Sequence, residues 1–143
     1  MKQQVHFVTI AATNLDATRD FYGALGWAPL LDVEGEIIFY QSAPGQLLGF
    51  FLADKFNEDL ATSGDHARVS GITLAHNVDS AADVSALAGT MAAAGGTILT
   101  PPQPGQFGGV FHAHIQDPNG LIWEIAHNPG WRVDPDGSVH LGG

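Results

Sequence analysis

Val5-His6-Phe7-Val8-Thr9-Ile10-Ala11 runs into Thr13-Asn14-Leu15, and later in the chain Gly71-Ile72-Thr73-Leu74-Ala75-His76-Asn77 runs into Asp79-Ser80. In both places a β-branched, strand-forming run meets residues that cap helices, Asn14 in the first and Asp79 or Ser80 in the second. Behind the first cap, Leu15, Thr18, Phe21, Tyr22 and Leu25 recur at three- and four-residue steps, which predicts a helix with one apolar face, stopped at Gly26. Behind the second, Val84, Leu87, Ala88 and Met91 predict another, stopped at Gly95-Gly96.

Each helix is followed by three strand-like runs. In the first half these are Leu30 to Val33, Ile37 to Gln41 and Leu47 to Leu52, parted by Glu34-Gly35 and Ala43-Pro44-Gly45. In the second they are Thr97 to Thr100, Val110 to Gln116 and Leu121 to His127, the last two forming a hairpin around Asp117-Pro118-Asn119-Gly120. The chain therefore reads βαβββ twice. It divides into module one at about 5–53, a linker at 54–70 with room for a short helix, module two at about 71–128, and a C-terminal arm at 129–143. Pro101 to Gly109 reads as a loop able to cover a site. Two equivalent halves satisfy each other's strand edges by forming one curved mixed sheet, which predicts a single α+β domain with a cavity walled by both modules.

Composition narrows the function. The 143 residues carry 5 Lys+Arg against 15 Asp+Glu, a formal charge of −10 that repels phosphate backbones and anionic membranes, so neither nucleic acid nor a membrane is an expected partner. With no cysteine there is no disulfide framework, thiolate metal site or thiol nucleophile. No apolar stretch of signal-peptide length follows Met1, and none approaches the roughly 18 residues of a membrane span, so a soluble cytoplasmic protein is expected.

Two longer stretches carry a family resemblance. Asn14-Leu15-Asp16-Ala17-Thr18-Arg19-Asp20-Phe21-Tyr22-Gly23-Ala24-Leu25-Gly26-Trp27 and Asp117-Pro118-Asn119-Gly120-Leu121-Ile122-Trp123-Glu124-Ile125-Ala126-His127-Asn128-Pro129 together resemble the vicinal oxygen chelate superfamily, which includes glyoxalase I, bleomycin-resistance proteins and extradiol dioxygenases. The resemblance spans roughly residues 5–132 and identifies a fold better than a reaction. It implies a homodimer, and in metal-dependent members a divalent ion held by His and Glu at four positions, two per half. Here those positions fall on Phe7 (or His6 after a one-residue slip), within Leu48 to Leu52, on Thr73 and on Glu124. Only Glu124 matches as it stands, so no full four-ligand metal site and no cofactor are expected; the alternative is Zn, Ni, Mn or Fe held with His6 and Glu124.

Two functions of different class follow. One is a protein that binds a small organic molecule in the cavity between modules without metal, with Phe7, Thr9, Phe50, Phe51, Thr73, Phe107 and Glu124 lining it. The other is a divalent-metal-dependent lyase or dioxygenase in which Glu124 is the catalytic group. His112 and His114 lie two apart on a strand whose hairpin partner carries Glu124, and two histidines with a carboxylate would suit iron, zinc or manganese. A four-residue turn at Asp117 to Gly120, however, sets Ala113 opposite Glu124 and sends both imidazoles to the other face; only a bulge or register shift would reunite them. His76, three residues beyond Thr73, falls on the opposite face of its strand and reads as a brace for the second helix.

Overall fold

Asn14 caps the first helix as its sequence predicts, accepting a hydrogen bond from the Ala17 amide at 2.9 Å. Ser80, rather than Asp79, caps the helix of the second module through the Asp83 amide. The computed structural model describes residues 1–60, 71–106 and 108–141. The first module comprises β1 (Phe7–Ala12), α1 (Leu15–Ala24), β2 (Leu31–Val33), β3 (Ile37–Ala43) and β4 (Gln46–Leu52). The linker begins as α2 (Ala53–Leu60), and the rest of it lies outside the described residues. The second module comprises β5 (Thr73–Asn77), α3 (Ala81–Ala93), β6 (Thr97–Pro104), β7 (Phe111–Gln116) and β8 (Ile122–His127), and a hairpin of β9 (Trp131–Val133) and β10 (Val139–Leu141) follows.

The α+β class and the doubled βαβββ order are as expected. Among the described residues, however, the modules form two separately hydrogen-bonded four-stranded sheets, ordered β1-β4-β3-β2 and β5-β8-β7-β6, where one curved sheet was expected. In each, the first and last strands of the module pair in parallel and the rest are antiparallel. Alternation along the strands then assigns the faces. Ile10, Ile38, Tyr40, Leu48 and Phe50 of the first sheet share one buried cluster with Ala113, Ile115, Trp123 and Ile125 of the second. Phe21 and Tyr22 of α1 and Val84, Ala88 and Met91 of α3 complete that cluster, so both sheets turn one face to the same helices. Full burial of Phe50 alone is worth about 1.5–3 kcal/mol.

Two local readings need correction. The stretch from Pro101 is not all loop, because β6 continues through Pro101 and Pro102 to Pro104. It is an edge strand whose pairing with β7 is irregular between Ile98 and Thr100 and again between Thr100 and Gln103, and edges and irregularities are where a strand tolerates proline. The second correction concerns the β7–β8 loop, which has five residues instead of four. The Asp117 carboxylate accepts from the amides of Asn119 at 2.8 Å and Leu121 at 2.9 Å, and the Asp117 amide donates to the Leu121 carbonyl at 2.8 Å. Leu121 is thereby drawn into the loop and Gln116 pairs with Ile122. Counting inward, His114 stands opposite Glu124, and Ala113 stands opposite Ile125.

The same loop joins the modules. The Tyr22 hydroxyl donates to Asp117 at 2.7 Å and accepts from the Trp123 indole at 3.0 Å, all buried. Asn119 donates to the Thr18 hydroxyl at 2.8 Å and accepts from the Thr13 amide at 3.3 Å. A stretch that reads as turn chemistry thus also pins β7 and β8 to α1.

Candidate functional site

The revised register decides the site. His112, His114 and Glu124 occupy one face of the second sheet, opposite to the core face that carries Ala113, Ile115, Trp123 and Ile125. His112 Nδ1 lies 3.1 Å from Glu124 Oε1, with the two side chains 21% and 31% exposed, and the His112 and His114 rings stand 5.0 Å apart. A carboxylate only accepts, so this contact is a hydrogen bond in the His112 tautomer that carries its proton on Nδ1, which leaves Nε2 as an acceptor. One potential ligand atom from each of the three residues lies within 4.8 Å of the others, and this is the one such His/Asp/Glu group among the described residues.

The surroundings leave this face accessible. Ala75 pairs with Glu124 and Thr100 with His114, so small side chains flank the group along the ladder. Thr73 is on the same face, two residues from Ala75. Among the described residues Arg19 is bound to Asp16 and Asp32, Lys55 to Glu36 and Glu58, and Arg132 to Asp134, and the ion-pair partner of Glu124 is an imidazole.

The other residues expected at a site are divided. Phe7, Thr9 and Phe51 lie on the corresponding outward face of the first sheet, where Phe7 meets Phe39 edge to face at 5.7 Å between centroids. Phe50 is fully buried against Tyr22 and Tyr40 on the core face, so it does not share a wall with Phe51. Phe107 lies outside the described residues. His6 precedes β1 and is exposed, and it is not part of the group containing Glu124. The four family positions therefore do not fit a metal here: Phe7 has no donor, the outward positions of β4 are Leu47, Gly49 and Phe51, and Thr73 offers a neutral hydroxyl.

A cavity does exist where the modules meet, on the core side. It measures about 120 Å³ and is lined by Tyr22, Trp27, His76, Met91 and Trp123 among others; a second hollow of about 230 Å³ shares Trp27, His76 and Trp123, and each is below the roughly 300–1,000 Å³ of ordinary ligand pockets. His76 faces it, on the opposite side of the sheet from Glu124, as its spacing from Thr73 predicts. Among the described residues, the buried polar side chains Thr18, Asp117 and Asn119 all belong to the module junction. Burial pushes the Asp117 carboxyl above its ordinary range, against the hydrogen bonds it accepts, and burial together with Asp117 pushes the Tyr22 hydroxyl up as well.

Two βαβββ modules in tandem, with a carboxylate on the last strand of the second, define a vicinal oxygen chelate protein. The chain belongs to the Glyoxalase/Bleomycin resistance protein/Dioxygenase superfamily, whose family profile matches residues 4–125. It is similar to a glyoxalase-related enzyme from Fulvimarina pelagi, at 38% identity over 99% of both chains with a TM-score of 0.88. A glyoxalase/bleomycin resistance protein/dioxygenase from Nocardioides shares the fold at 19% identity, 91% of this chain, 87% of that one and a TM-score of 0.71. A lactoylglutathione lyase from Agrobacterium tumefaciens does so at 17% identity, 87% of this chain, 93% of that one and a TM-score of 0.64. Comparison with curated proteins found no match. No helix among the described residues is long and apolar enough to cross a membrane.

Proposed function

We propose that this protein binds a small organic molecule on the outward face of its second sheet, with Glu124, His112 and His114 making the directional contacts. The convergence of these three side chains on one accessible face carries the reading. A carboxylate and two imidazoles offer acceptors and donors side by side, and the His112–Glu124 bond orients one ring for proton exchange with a bound molecule. The two core-side hollows, about 120 and 230 Å³, are each smaller than an ordinary ligand pocket. In a thermal-shift screen of cationic and oxygen-rich aromatic compounds, a ligand of this face raises the melting temperature of the native chain, and Glu124→Gln or His114→Gln abolishes the rise. Stabilisation that survives both changes but disappears with His76→Ala would move the site to the core-side cavity and end this reading.

The protein is also proposed to be a homodimer. Phe7 on one edge strand and Leu31 and Val33 on the other are 56%, 46% and 41% exposed on the outward face of the first sheet, large apolar groups that a second copy would cover. Light scattering on the purified chain gives twice the 15.0 kDa chain mass, and Phe7→Asp shifts it toward the monomer. A native chain that scatters as a monomer at micromolar concentration would exclude the dimer.

A further inference from the structure

We infer that His112, His114 and Glu124 form a binding site for one first-row divalent transition ion, in the place where the family's own four positions supply a single ligand. The inference deepens the ligand-binding reading above, since the ion would stand between the protein and the bound molecule.

Geometry comes first. An ion about 2.0–2.2 Å from each of two donors holds those donors roughly 2.9–3.5 Å apart over right-angled to tetrahedral arrangements. His112 Nδ1 and Glu124 Oε1 already stand 3.1 Å apart, inside that window. The third donor, on His114, lies within 4.8 Å of both, and a small rotation of an imidazole that is itself partly exposed closes that gap. No strand has to move, because the two histidines are alternate residues of β7 and His114 is the direct ladder partner of Glu124.

Electrostatics agree with this placement. The bond between His112 and Glu124 occupies the position that an ion would take, and an ion bound there takes His112 in the tautomer with its proton on Nε2, so the ligands are two neutral imidazoles and one carboxylate with no net proton lost from a neutral ring. Among the described residues no Lys or Arg pairs with Glu124, and the chain's net charge of −10 draws cations toward it. The donor set selects the ion: two nitrogens and one carboxylate oxygen suit Zn²⁺, Fe²⁺, Co²⁺ or Ni²⁺, whereas Mg²⁺ and Ca²⁺ prefer sites built of oxygen alone. Three protein donors leave at least one position of a four-coordinate ion, and three of a six-coordinate ion, for water or for oxygens of the bound molecule. The exposure of the trio keeps those positions reachable.

The test uses the complete, tag-free chain, stripped of metal and titrated with Zn²⁺ and Co²⁺ with no organic molecule present. One Zn²⁺ binds per chain and raises the melting temperature, Co²⁺ gives a visible d–d absorption band, and Mg²⁺ does neither. Single His112→Gln, His114→Gln and Glu124→Gln changes each weaken Zn²⁺ binding beyond the roughly 10–100-fold expected from losing only a supporting hydrogen bond, and each removes the cobalt band. Their metal-free melting temperatures stay close to that of the native chain because all three side chains are partly exposed, so lost binding is not lost folding. His76→Gln, on the other face, binds like the native chain. Zn²⁺ binding that is absent, substoichiometric, or indifferent to these three changes overturns the site. That result would leave the ligand screen to be judged separately, since the screen can be run on metal-free protein.

Discussion

Tyr22→Phe lowers the free energy of unfolding by roughly 2–6 kcal/mol, because removing one hydroxyl strands two buried partners at about 1–3 kcal/mol each. Asp117 loses the donor at 2.7 Å and the Trp123 indole loses its acceptor at 3.0 Å, its one hydrogen-bond partner among the described residues. The ring itself is kept, together with its contacts to Tyr40 and Phe50, so the loss isolates the polar part of the junction. Urea unfolding of the two chains measures the difference, and a loss under about 1 kcal/mol would mean that the network does not hold the modules together. A second readout tests the cause. Burial raises the Asp117 carboxyl above its ordinary 3.8, while the bond donated by Tyr22 pulls it down. The folded chain thus holds this proton more tightly than the unfolded chain. Its contribution to stability is complete below the unfolded value and is lost as pH rises through the raised folded value. In Tyr22→Phe the carboxyl-carbon NMR titration of Asp117 moves higher still, and movement in the opposite direction would contradict the assignment of that hydrogen bond.

The helices and the doubled order were legible because their causes are local. Asn14 and Ser80 cap within three residues, and the stripes Leu15-Thr18-Phe21-Tyr22 and Val84-Ala88-Met91 are the buried faces of α1 and α3. The site was less legible because it depends on one residue of register. His112, His114 and Glu124 are all visible in the sequence, but whether they share a face rests on Leu121 joining the loop, and that follows from two hydrogen bonds to the Asp117 side chain. Asp117-Pro118-Asn119-Gly120 suggests a turn of the commonest length; the clue to a longer one is the aspartate at its first position, whose carboxylate can bind amides two and four residues on. The union of the modules was hidden for a related reason. Tyr22, Trp123 and Asp117 each look like ordinary core or turn residues, and their mutual hydrogen bonds span about a hundred positions of chain. Phe50 and Phe51 show the opposite limit: adjacent aromatic residues on a strand cannot both face a ligand, and only burial says which one is core.

Gly96→Ala lowers the unfolding free energy by about 1–3 kcal/mol, the usual cost of forcing a methyl group into a filled core, with the upper end expected here. The Gly96 amide donates to the Met91 carbonyl at 2.9 Å, a bond that closes the end of α3 and holds the glycine hard against its last turn. A Cβ there would come 2.8 Å from the Met91 carbonyl oxygen, 2.9 Å from Ile115 Cγ2 and 3.1 Å from Phe21 Cε2. Nothing nearby gives way cheaply: the first obstacle is backbone, and Ile115 and Phe21 are wholly buried. Phe21 belongs to α1 and Ile115 to the second sheet, so the displaced atoms lie at the same junction that Tyr22 secures. Gly49 provides the contrast. A Cβ there meets Phe39 at 2.7 Å, but the obstacle is the far edge of a partly exposed ring on the outward face, which can swing aside. Gly49→Ala is therefore expected to cost less than Gly96→Ala when the two are unfolded in urea side by side. Equal losses would show that the outward face of the first sheet is as tightly packed as the core, and an unchanged midpoint for Gly96→Ala would show that α1, α3 and the second sheet do not meet as closely as these distances require.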